Sequence, residues 1–304
     1  MNTTNMSAST WGLLFALGTI WGASFLGVRI ILDEISVFQA VVHRVIWGAL
    51  ALWILIAIRR PPLPQNPRIW GAFLVMGLLN NAIPFSLLTF GQLTVETGLT
   101  GILNAATAIW GVLIAALVFA DERLTRNRIF GVTVGFIGVA TAIGVSSIFS
   151  FDARSIAQLA IVAATISYGC AGSWARATLK GVSPLVSSAG MLTGAALIML
   201  PITLVLDGPL PFTLEPRTWG AIAYVSLAST ALAYLLYYRI LARAGAGNVL
   251  LVTLLVAPVA ILLGALTRGE ALPPSAYAGF ALLALGLLIL DGRAGHALRK
   301  YLTA

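Results

Sequence analysis

Charge is scarce in this chain, and cysteine and histidine are nearly absent. Only 9% of the 304 residues are Asp, Glu, Lys or Arg, against about 25% in soluble globular domains. The one cysteine, Cys170, excludes an intramolecular disulfide and a cysteine metal cluster. The chain has no H-E-x-x-H, P-loop or G-x-S-x-G sequence and no paired histidines. We therefore expect no cofactor, no metal site and no ATP-driven pumping by this chain alone.

Acidic side chains are missing from the apolar parts of the sequence. All ten Asp and Glu residues fall in loops or at the ends of apolar runs. Sodium- and proton-coupled carriers usually hold a carboxylate within the membrane. Transport could therefore be coupled through His43 or through the charge of the substrate, or it could be facilitated transport without a coupling ion.

Long apolar runs make up most of the chain, since 59% of its residues are hydrophobic. A helix of about 20 apolar residues spans the hydrocarbon core of a bilayer. The runs lack the alternating pattern of a membrane barrel, so the sequence predicts an all-α integral membrane protein with ten transmembrane helices. The predicted spans are Trp11–Ile31, Phe38–Ile58, Ile69–Gly91, Thr97–Ala120, Ile129–Ser147, Ile156–Leu179, Pro184–Leu206, Thr218–Ile240, Asn248–Leu266 and Ser275–Leu290.

Basic residues are distributed unequally between the two sides of these spans. If the N-terminus is cytoplasmic, the inner loops and tail hold 13 Lys and Arg residues and the outer loops hold four. This is the asymmetry of the positive-inside rule. It predicts a multi-pass protein of the inner (cytoplasmic) membrane with both termini in the cytoplasm. The net charge of +8 thus reflects orientation in the lipid bilayer, and we expect no nucleic-acid partner.

An E-x-L…G…G pattern occurs twice, in Phe119–Gly138 and in Thr267–Gly286. Three residues of the first copy, Glu122, Gly131 and Gly138, recur 148 residues later as Glu270, Gly279 and Gly286. The sequence therefore predicts a tandem duplication, with one five-helix repeat at residues 1–150 and another at residues 151–304. Because five is odd, the second repeat would be inverted in the membrane. Many secondary transporters have this architecture, with the substrate site near the midplane between the repeats.

Further matches at shifts of 147 to 149 residues extend the duplication along the chain. Trp21, Gly22 and Arg29 match Tyr168, Gly169 and Arg176, and Trp70-Gly71-Ala72 matches Trp219-Gly220-Ala221. Two positions depart from the repeat: Met191 stands where the first half has Arg44, and Pro273 stands where the first half has Thr125.

The W-G of WGASFLGVRI, the arginine of HRVIWGALAL and the signature ERLTRNRIFGVTVGFIG resemble the EamA-type members of the drug/metabolite transporter superfamily. The resemblance covers essentially all ten spans. It implies a ten-helix inverted-repeat bundle. Many bacterial members of this family export amino acids or related metabolites, which makes such a substrate the expectation here.

Small and polar side chains recur on one face of several spans, and within lipid such faces turn toward the bundle interior or a water-filled path. The third and eighth spans both have small or polar residues at repeat-related positions, which strengthens the prediction that these faces line the bundle interior. For the asparagines, an interhelical hydrogen bond that only holds the bundle together is the alternative. The predicted substrate-binding residues are Trp21, His43, Arg44, Asn80, Asn81, Asn104, Thr107, Trp110, Tyr168, Ser229, Thr230 and Tyr234.

His43 and Arg44 are the only ionisable residues clearly inside a predicted span. Arg44 could bind a substrate carboxylate through its guanidinium fork, or it could snorkel or hydrogen-bond to backbone carbonyls. His43 could titrate near neutral pH and couple transport to protons, or it could be a packing histidine.

Other residues have expected structural roles. Pro84, Pro201 and Pro258 interrupt the helical hydrogen-bond ladder and are candidate hinges or simple kinks. Gly131 and Gly138 would permit close helix packing.

Glu122 and Glu270 each precede a helix, where a carboxylate can accept from the free N–H groups of the next helix. Thr125 is the expected N-cap of the fifth span.

Together these features predict a secondary transporter that exports small organic metabolites by alternating access around a midplane cavity. Amino acids, including aromatic ones, are the preferred substrates. The family resemblance implies this class, and deep aromatic and neutral polar groups suit an apolar side chain with a polar backbone. Export of aromatic or quaternary-ammonium drugs through cation–π contacts is an alternative. A membrane-embedded enzyme or lipid-handling protein is another, but it would need a nucleophile and a base within reach of each other. The expected partners are a small-molecule substrate and the bilayer, and the oligomeric state stays open.

Overall fold

The computed structural model describes residues 7–144, 152–250 and 252–290, and every regular element in these ranges is helical. Two π-helical segments, Leu78–Ala82 and Tyr224–Leu232, interrupt the α-helices. The α-helices are α1 (Ala8–Ile31), α2 (Val37–Arg59), α3 (Pro67–Gly77), α4 (Ile83–Gly91), α5 (Thr97–Asn104), α6 (Thr107–Val118), α7 (Arg126–Ile143), α8 (Ala153–Thr178), α9 (Pro184–Leu206), α10 (Pro216–Ala223), α11 (Ala233–Leu250), α12 (Val252–Arg268) and α13 (Pro274–Leu290).

Seven helical stretches of the described residues are long and apolar enough to cross a membrane, which supports a multi-pass membrane protein. The helices α12 and α13 are apolar but have only 17 residues each. The all-helical fold is confirmed over the described ranges, and the count of ten spans stays a prediction. Residues 145–147 of the predicted fifth span, the N-terminal six residues and the tail after residue 290 lie outside the described residues.

The fourth predicted span is not one continuous helix. Residues Ala105 and Ala106 form a turn between α5 and α6, in which Ala105 N bonds to Ile102 O and Ala106 N to Leu103 O, each at 3.1 Å. These bonds join residues three apart, so the last turn of α5 tightens as 3₁₀ turns do. A tightened turn in the middle of a span changes the direction of the side chains that follow it.

The helix starts have clear local causes. Ser36 and Gln39 form a capping box at α2, because Ser36 Oγ accepts from Gln39 N at 3.2 Å and Gln39 Oε1 accepts from Ser36 N at 3.3 Å. Thr125 Oγ1 accepts from Arg128 N at 3.3 Å, so the expected N-cap of α7 is confirmed. These caps satisfy N–H groups that the first helical turn leaves without a partner.

Polar contacts identify which loops share an end of the bundle. We call the end where α1 begins proximal and the end where α1 finishes distal. Arg154, at the start of α8, pairs with Glu96 at 2.7 Å, just after the chain has reached the distal end through α4. Arg176, at the end of α8, pairs with Glu122 at 3.0 Å at the proximal end. Thus α8 runs opposite to α1.

Helices α7 and α13 touch along glycines from the two copies of the repeated motif. A Cβ added to Gly138 would lie 2.5 Å from Leu283 N, and one added to Gly286 would lie 2.6 Å from Gly135 N. A Cβ on Gly131 would meet Gly286 O at 2.8 Å. The two backbones therefore approach each other directly, as small residues permit in membrane bundles. Gly131 and Gly138 lie in this contact.

The two largest of the four buried clusters in the described residues have one neighbouring residue in common. The first involves mainly α5, α7, α8, α12 and α13, and the second involves mainly α2, α3 and α9. The ring of Tyr168 in α8 packs against both clusters. The space around Tyr168 is therefore where the two packing units meet.

Candidate functional site

The Arg44 side chain reaches from α2 to the second π-helical segment. Its Nε donates to Thr230 Oγ1 at 2.9 Å, and its guanidinium carbon lies 3.7 Å from the centre of the Phe85 ring. No ion pair to Arg44 occurs in residues 7–144, 152–250 and 252–290. A cation inside the bundle is therefore held by a hydroxyl and an aromatic face, with no carboxylate of the described residues paired to it.

Thr230 is oriented for this contact by the π-helix that contains it. Its hydroxyl donates to Val225 O at 2.8 Å, five residues earlier. A hydroxyl has one proton and two lone pairs, so the proton is used on the backbone and a lone pair faces Arg44. The π-helical register thus presents an acceptor to the guanidinium.

Asn80 and Asn81, in the first π-helical segment, converge on Tyr234 of the opposite half. Their Nδ2 atoms lie 3.2 Å and 2.9 Å from the Tyr234 hydroxyl, and Asn80 Nδ2 also lies 3.6 Å from Met191 Sδ. These are the interhelical bonds that the sequence left as an alternative. Tyr234 follows Thr230, the hydrogen-bond partner of Arg44, by four residues along the same helical stretch. The asparagines, Tyr234 and Arg44 therefore form one group.

Trp21 joins α1 to the second π-helical segment. Its Nε1 donates to Ser229 O at 3.1 Å, and its ring centre lies 5.9 Å from that of Tyr237. Ser229 precedes Thr230, so the Trp21 contact lies beside the Arg44 contact along the same segment.

The turn that breaks the fourth span is flanked by Asn104 at the end of α5 and by Thr107 and Trp110 in α6. Thr107 Oγ1 donates to Asn104 O at 2.8 Å across the turn between α5 and α6. The ring of Trp110 lies edge-on to Phe136, with ring centres 5.0 Å apart. A Cβ on Gly169 would lie 3.0 Å from the Trp110 carbonyl carbon, so α6 and α8 touch closely beside Tyr168. Trp110 is thus brought near Tyr168.

Four of the predicted site residues carry a buried polar atom without a hydrogen-bond partner in the part of the chain that the structure describes. These atoms are Asn81 Oδ1, Asn104 Oδ1, Trp110 Nε1 and Ser229 Oγ. Buried polar groups in proteins are normally paired, and each unpaired one costs about 1–3 kcal/mol. Asn81 contacts Tyr234 and Ser229 precedes Thr230, so these two atoms lie beside the Arg44 group. Four other unpaired atoms of the described residues lie outside the predicted site, on Gln158, Thr203, Arg268 and Glu270.

His43 does not belong to this group. Its Nε2 lies 3.2 Å from Pro211 O, its Nδ1 accepts from Trp47 Nε1 at 3.2 Å, and its ring packs edge-on against Phe212 and Trp219. Successive helical residues point about 100° apart, so His43 and Arg44 face different neighbours. The structure places this predicted binding residue in a satisfied packing environment toward the distal end.

The three predicted hinge prolines occupy different settings. Pro84 follows the first π-helical segment, whereas Pro201 and Pro258 lie inside α9 and α12. The repeat-related position after the second π-helical segment is Ala233, so that segment forms without a proline. A hinge role for all three prolines stays a prediction.

The glutamates of the repeated motif do not cap the next helix as expected. Glu122 accepts from Arg128 and Arg176, each at 3.0 Å, because Thr125 already occupies the cap of α7. Glu270 accepts from Thr97 Oγ1 at 2.8 Å. The helix that follows it begins at Pro274, after a second proline, and proline has no N–H group to be capped.

Three contact residues were not among the predictions. Phe85 lies under Arg44, Met191 contacts Asn80, and Tyr237 contacts Trp21. The duplication could have indicated Met191, since it occupies the position related to Arg44. Tyr237 lies three residues after Tyr234 on one helix, a spacing that places both on one face. Phe85 is one of many apolar residues in the spans, and nothing in its sequence context indicates a role in the site.

The sequence also matches a known protein family. Residues 10–144 and 155–290 each match the EamA-like transporter family. The chain belongs to the EamA-like transporter family. This membership, found in both halves, supports two EamA repeats and a transporter rather than an enzyme.

Two relatives of this EamA-like transporter match over nearly their whole length. A "Probable terminal-alkyne amino-acid exporter" of Streptantibioticus cattleyicolor is 26% identical over 95% of both chains. A "Probable amino-acid metabolite efflux pump" of Salmonella typhimurium is 26% identical over 93% of this chain and 95% of that protein. A solved protein structure with 16% sequence identity superposes with a TM-score of 0.67, covering 94% of this chain and 98% of that one, and shows the same fold.

Proposed function

We propose that this EamA-like transporter exports amino acids, including aromatic ones, by alternating access around the Arg44 group. The observation that carries the proposal is the lone guanidinium of Arg44, which contacts Thr230 and Phe85 and has no carboxylate partner in the described ranges. A charge inside the membrane is costly and typically marks a substrate path. The carboxylate of an amino acid would supply the missing countercharge through the guanidinium fork.

Neighbouring groups support a zwitterion with an apolar side chain. Asn81 Oδ1 and Asn104 Oδ1 are unpaired acceptors suited to an ammonium group. Trp110 and Tyr168 offer aromatic surface nearby for the side chain. The two relatives whose names mention amino acids agree with this substrate class at about a quarter sequence identity.

The proposed architecture is a ten-span bundle of two inverted five-helix repeats, residues 1–150 and 151–304. Opposite directions of α1 and α8 and the double family match support it. The unequal distribution of basic residues supports cytoplasmic termini and a place in the inner membrane. The two halves would rock about the π-helical segments that hold the site.

The alternatives receive less support from the same contacts. A quaternary-ammonium drug would meet the positive charge of Arg44 with no carboxylate beside it to offset the repulsion. An enzyme using His43 would need a free ring nitrogen, but both nitrogens are engaged, by Trp47 and by Pro211.

Uptake of radiolabelled amino acids into proteoliposomes tests the proposal. We expect saturable flux of at least one neutral or aromatic amino acid, and none in liposomes without protein. No saturable flux of any amino acid would contradict it, and saturable flux of a cationic drug would then favour the alternative.

A further inference from the structure

An ion pair joins the two halves at the proximal end. Arg176, in the last turn of α8, donates to Glu122 Oε1 at 3.0 Å and lies 4.3 Å from the Phe119 ring centre. Glu122 follows α6 in the first half. The contact therefore ties the first helix of one half to the motif loop of the other.

The residues related to this pair by the duplication lie at the distal end but are not joined. Arg29, in the last turn of α1, is related to Arg176, and Glu270, after α12, is related to Glu122. Arg29 instead donates to the backbone oxygen of Gln92, within its own half. Glu270 accepts from Thr97 through Oε1 only.

Unused hydrogen-bonding capacity remains at this end. Glu270 Oε2 is buried and has no partner within residues 7–144, 152–250 and 252–290. Arg268 already joins the two halves here, since its Nη2 pairs with Asp33 and donates to Arg29 O at 3.2 Å, while its buried Nε has no partner in the same ranges. A Cβ added to Gly264 would lie 2.2 Å from Glu270 Oε2, so the glycine gives the carboxylate its space. The proximal carboxylate, by contrast, is bonded through both oxygens, to Arg176 and to Arg128.

We propose that Arg29 and Glu270 form a further ion pair between the distal ends of the two halves in a second state of the transport cycle, in addition to the Arg268–Asp33 pair already present here. The Arg29–Glu270 pair forms as the Arg176–Glu122 pair breaks. The inference rests on the proposed alternating access, because inverted repeats interchange their arrangements when the open side changes. Exchanging one ion pair for an equivalent one keeps the two states close in free energy, so substrate binding can shift the balance. Arg29 and Glu270 are thus positioning residues for transport.

Distances between spin labels across the distal end test this exchange. The labels replace Thr94 and Thr267, exposed residues of opposite halves, in a Cys170→Ala background and in lipid. We expect Glu270→Gln to shift the ratio of long to short distances by about fivefold or more toward long, a typical coupling between two states. Arg176→Gln, which removes the proximal ion pairs to both Glu122 and Asp121, should shift it the opposite way. Arg217→Gln removes an exposed charge that takes part in no ion pair within the described residues, and it should leave the ratio unchanged.

Opposite shifts distinguish a state-specific pair from general loosening of the structure. The exchanged double variant Arg29→Glu/Glu270→Arg should restore the wild-type distance ratio that each single variant loses. Equal distributions in wild type and Glu270→Gln, or shifts of the same sign for both glutamines, would overturn the inference. Because the measurement needs no substrate, absence of amino-acid flux in the liposome assay would contradict the proposed function and leave this result unaffected.

Discussion

Arg44 of α2 and Met191 of α9 occupy repeat-related positions, and each contacts the π-helical segment of the other half. Arg44 donates to Thr230, and Met191 Sδ lies 3.6 Å from Asn80 Nδ2. Both halves therefore have a contact between this helix position and the π-helical segment of the other half, but the side chain is charged in one half and neutral in the other. The site has one cationic side and one neutral side, so a substrate with a single carboxylate has one preferred orientation.

Replacing Arg44 by the residue of the related position tests this asymmetry. Arg44→Met should raise the KM for amino-acid uptake by about tenfold or more, since a hydrogen bond to a charged group contributes about 1.5–3 kcal/mol. The thermal midpoint should not fall, because no buried carboxylate in the described residues loses a partner. Met191→Leu is the matched control and should keep the wild-type KM. An unchanged KM in Arg44→Met would show that Arg44 does not bind the substrate.

Competition by substrate fragments should follow the charge of the site. An aromatic carboxylate without an amino group should inhibit uptake of the corresponding amino acid, because it still pairs with Arg44. The corresponding aromatic amine without a carboxylate should inhibit at least tenfold less, because like charges repel. Inhibition constants in the liposome assay provide the measurement. Stronger inhibition by the amine would instead favour the export of cationic compounds.

Changes at the broken fourth span should separate transport from stability. Asn104 Oδ1 and Trp110 Nε1 have no partner in the described structure, so Asn104→Leu removes no hydrogen bond made by that oxygen. We expect Asn104→Leu to reduce uptake about tenfold and to leave the thermal midpoint unchanged or higher. Trp110→Ala should also reduce uptake, with some loss of packing.

Thr203→Val is the control for these two variants. Thr203 Oγ1 is likewise buried without a partner in the described residues, but it lies near the distal end of α9. Wild-type uptake is expected. If Asn104→Leu also transports at the wild-type rate, the fourth span does not line the path.

The glycine contact between α7 and α13 predicts opposite effects of the same substitution at two sites. Gly138→Ala would place a Cβ 2.5 Å from Leu283 N, and overpacking of this kind costs about 1–3 kcal/mol. Gly71→Ala meets nothing within 4 Å and should stabilise its helix by about 0.5–1 kcal/mol. Thermal unfolding in detergent provides the comparison. A Gly138→Ala protein as stable as Gly71→Ala would contradict close packing at this site.

The apolar pattern predicted the helices well because span length is set by the bilayer. The expected bounds of the seventh span, Pro184–Leu206, agree with α9 at both ends. The duplication also indicated the paired segments at Asn80 and Ser229, since both halves placed small or polar residues there. Their π-helical form was not predicted, because it depends on side-chain bonds such as that from Thr230 to Val225.

Features that depend on partners distant in sequence were not predictable. The turn between α5 and α6 contains two alanines, which favour a helix by themselves. His43 was a candidate proton carrier or packing histidine in the sequence, and one of its partners, Pro211 O, lies 168 residues away along the chain. Glu122 resembled a helix cap because its partner Arg176 lies 54 residues away along the chain.

The seam between α7 and α13 brings the same motif from each half into contact, Gly131 against Gly286 and Gly138 against Gly279. A surface that fits its own related copy across a two-fold relation is the kind that builds symmetric dimers. The fold is therefore compatible with an origin as two separate five-helix chains that recognised each other through this glycine face. Fusion into one polypeptide then allowed the inner faces to diverge, and Arg44 could be kept in one copy and lost in the other.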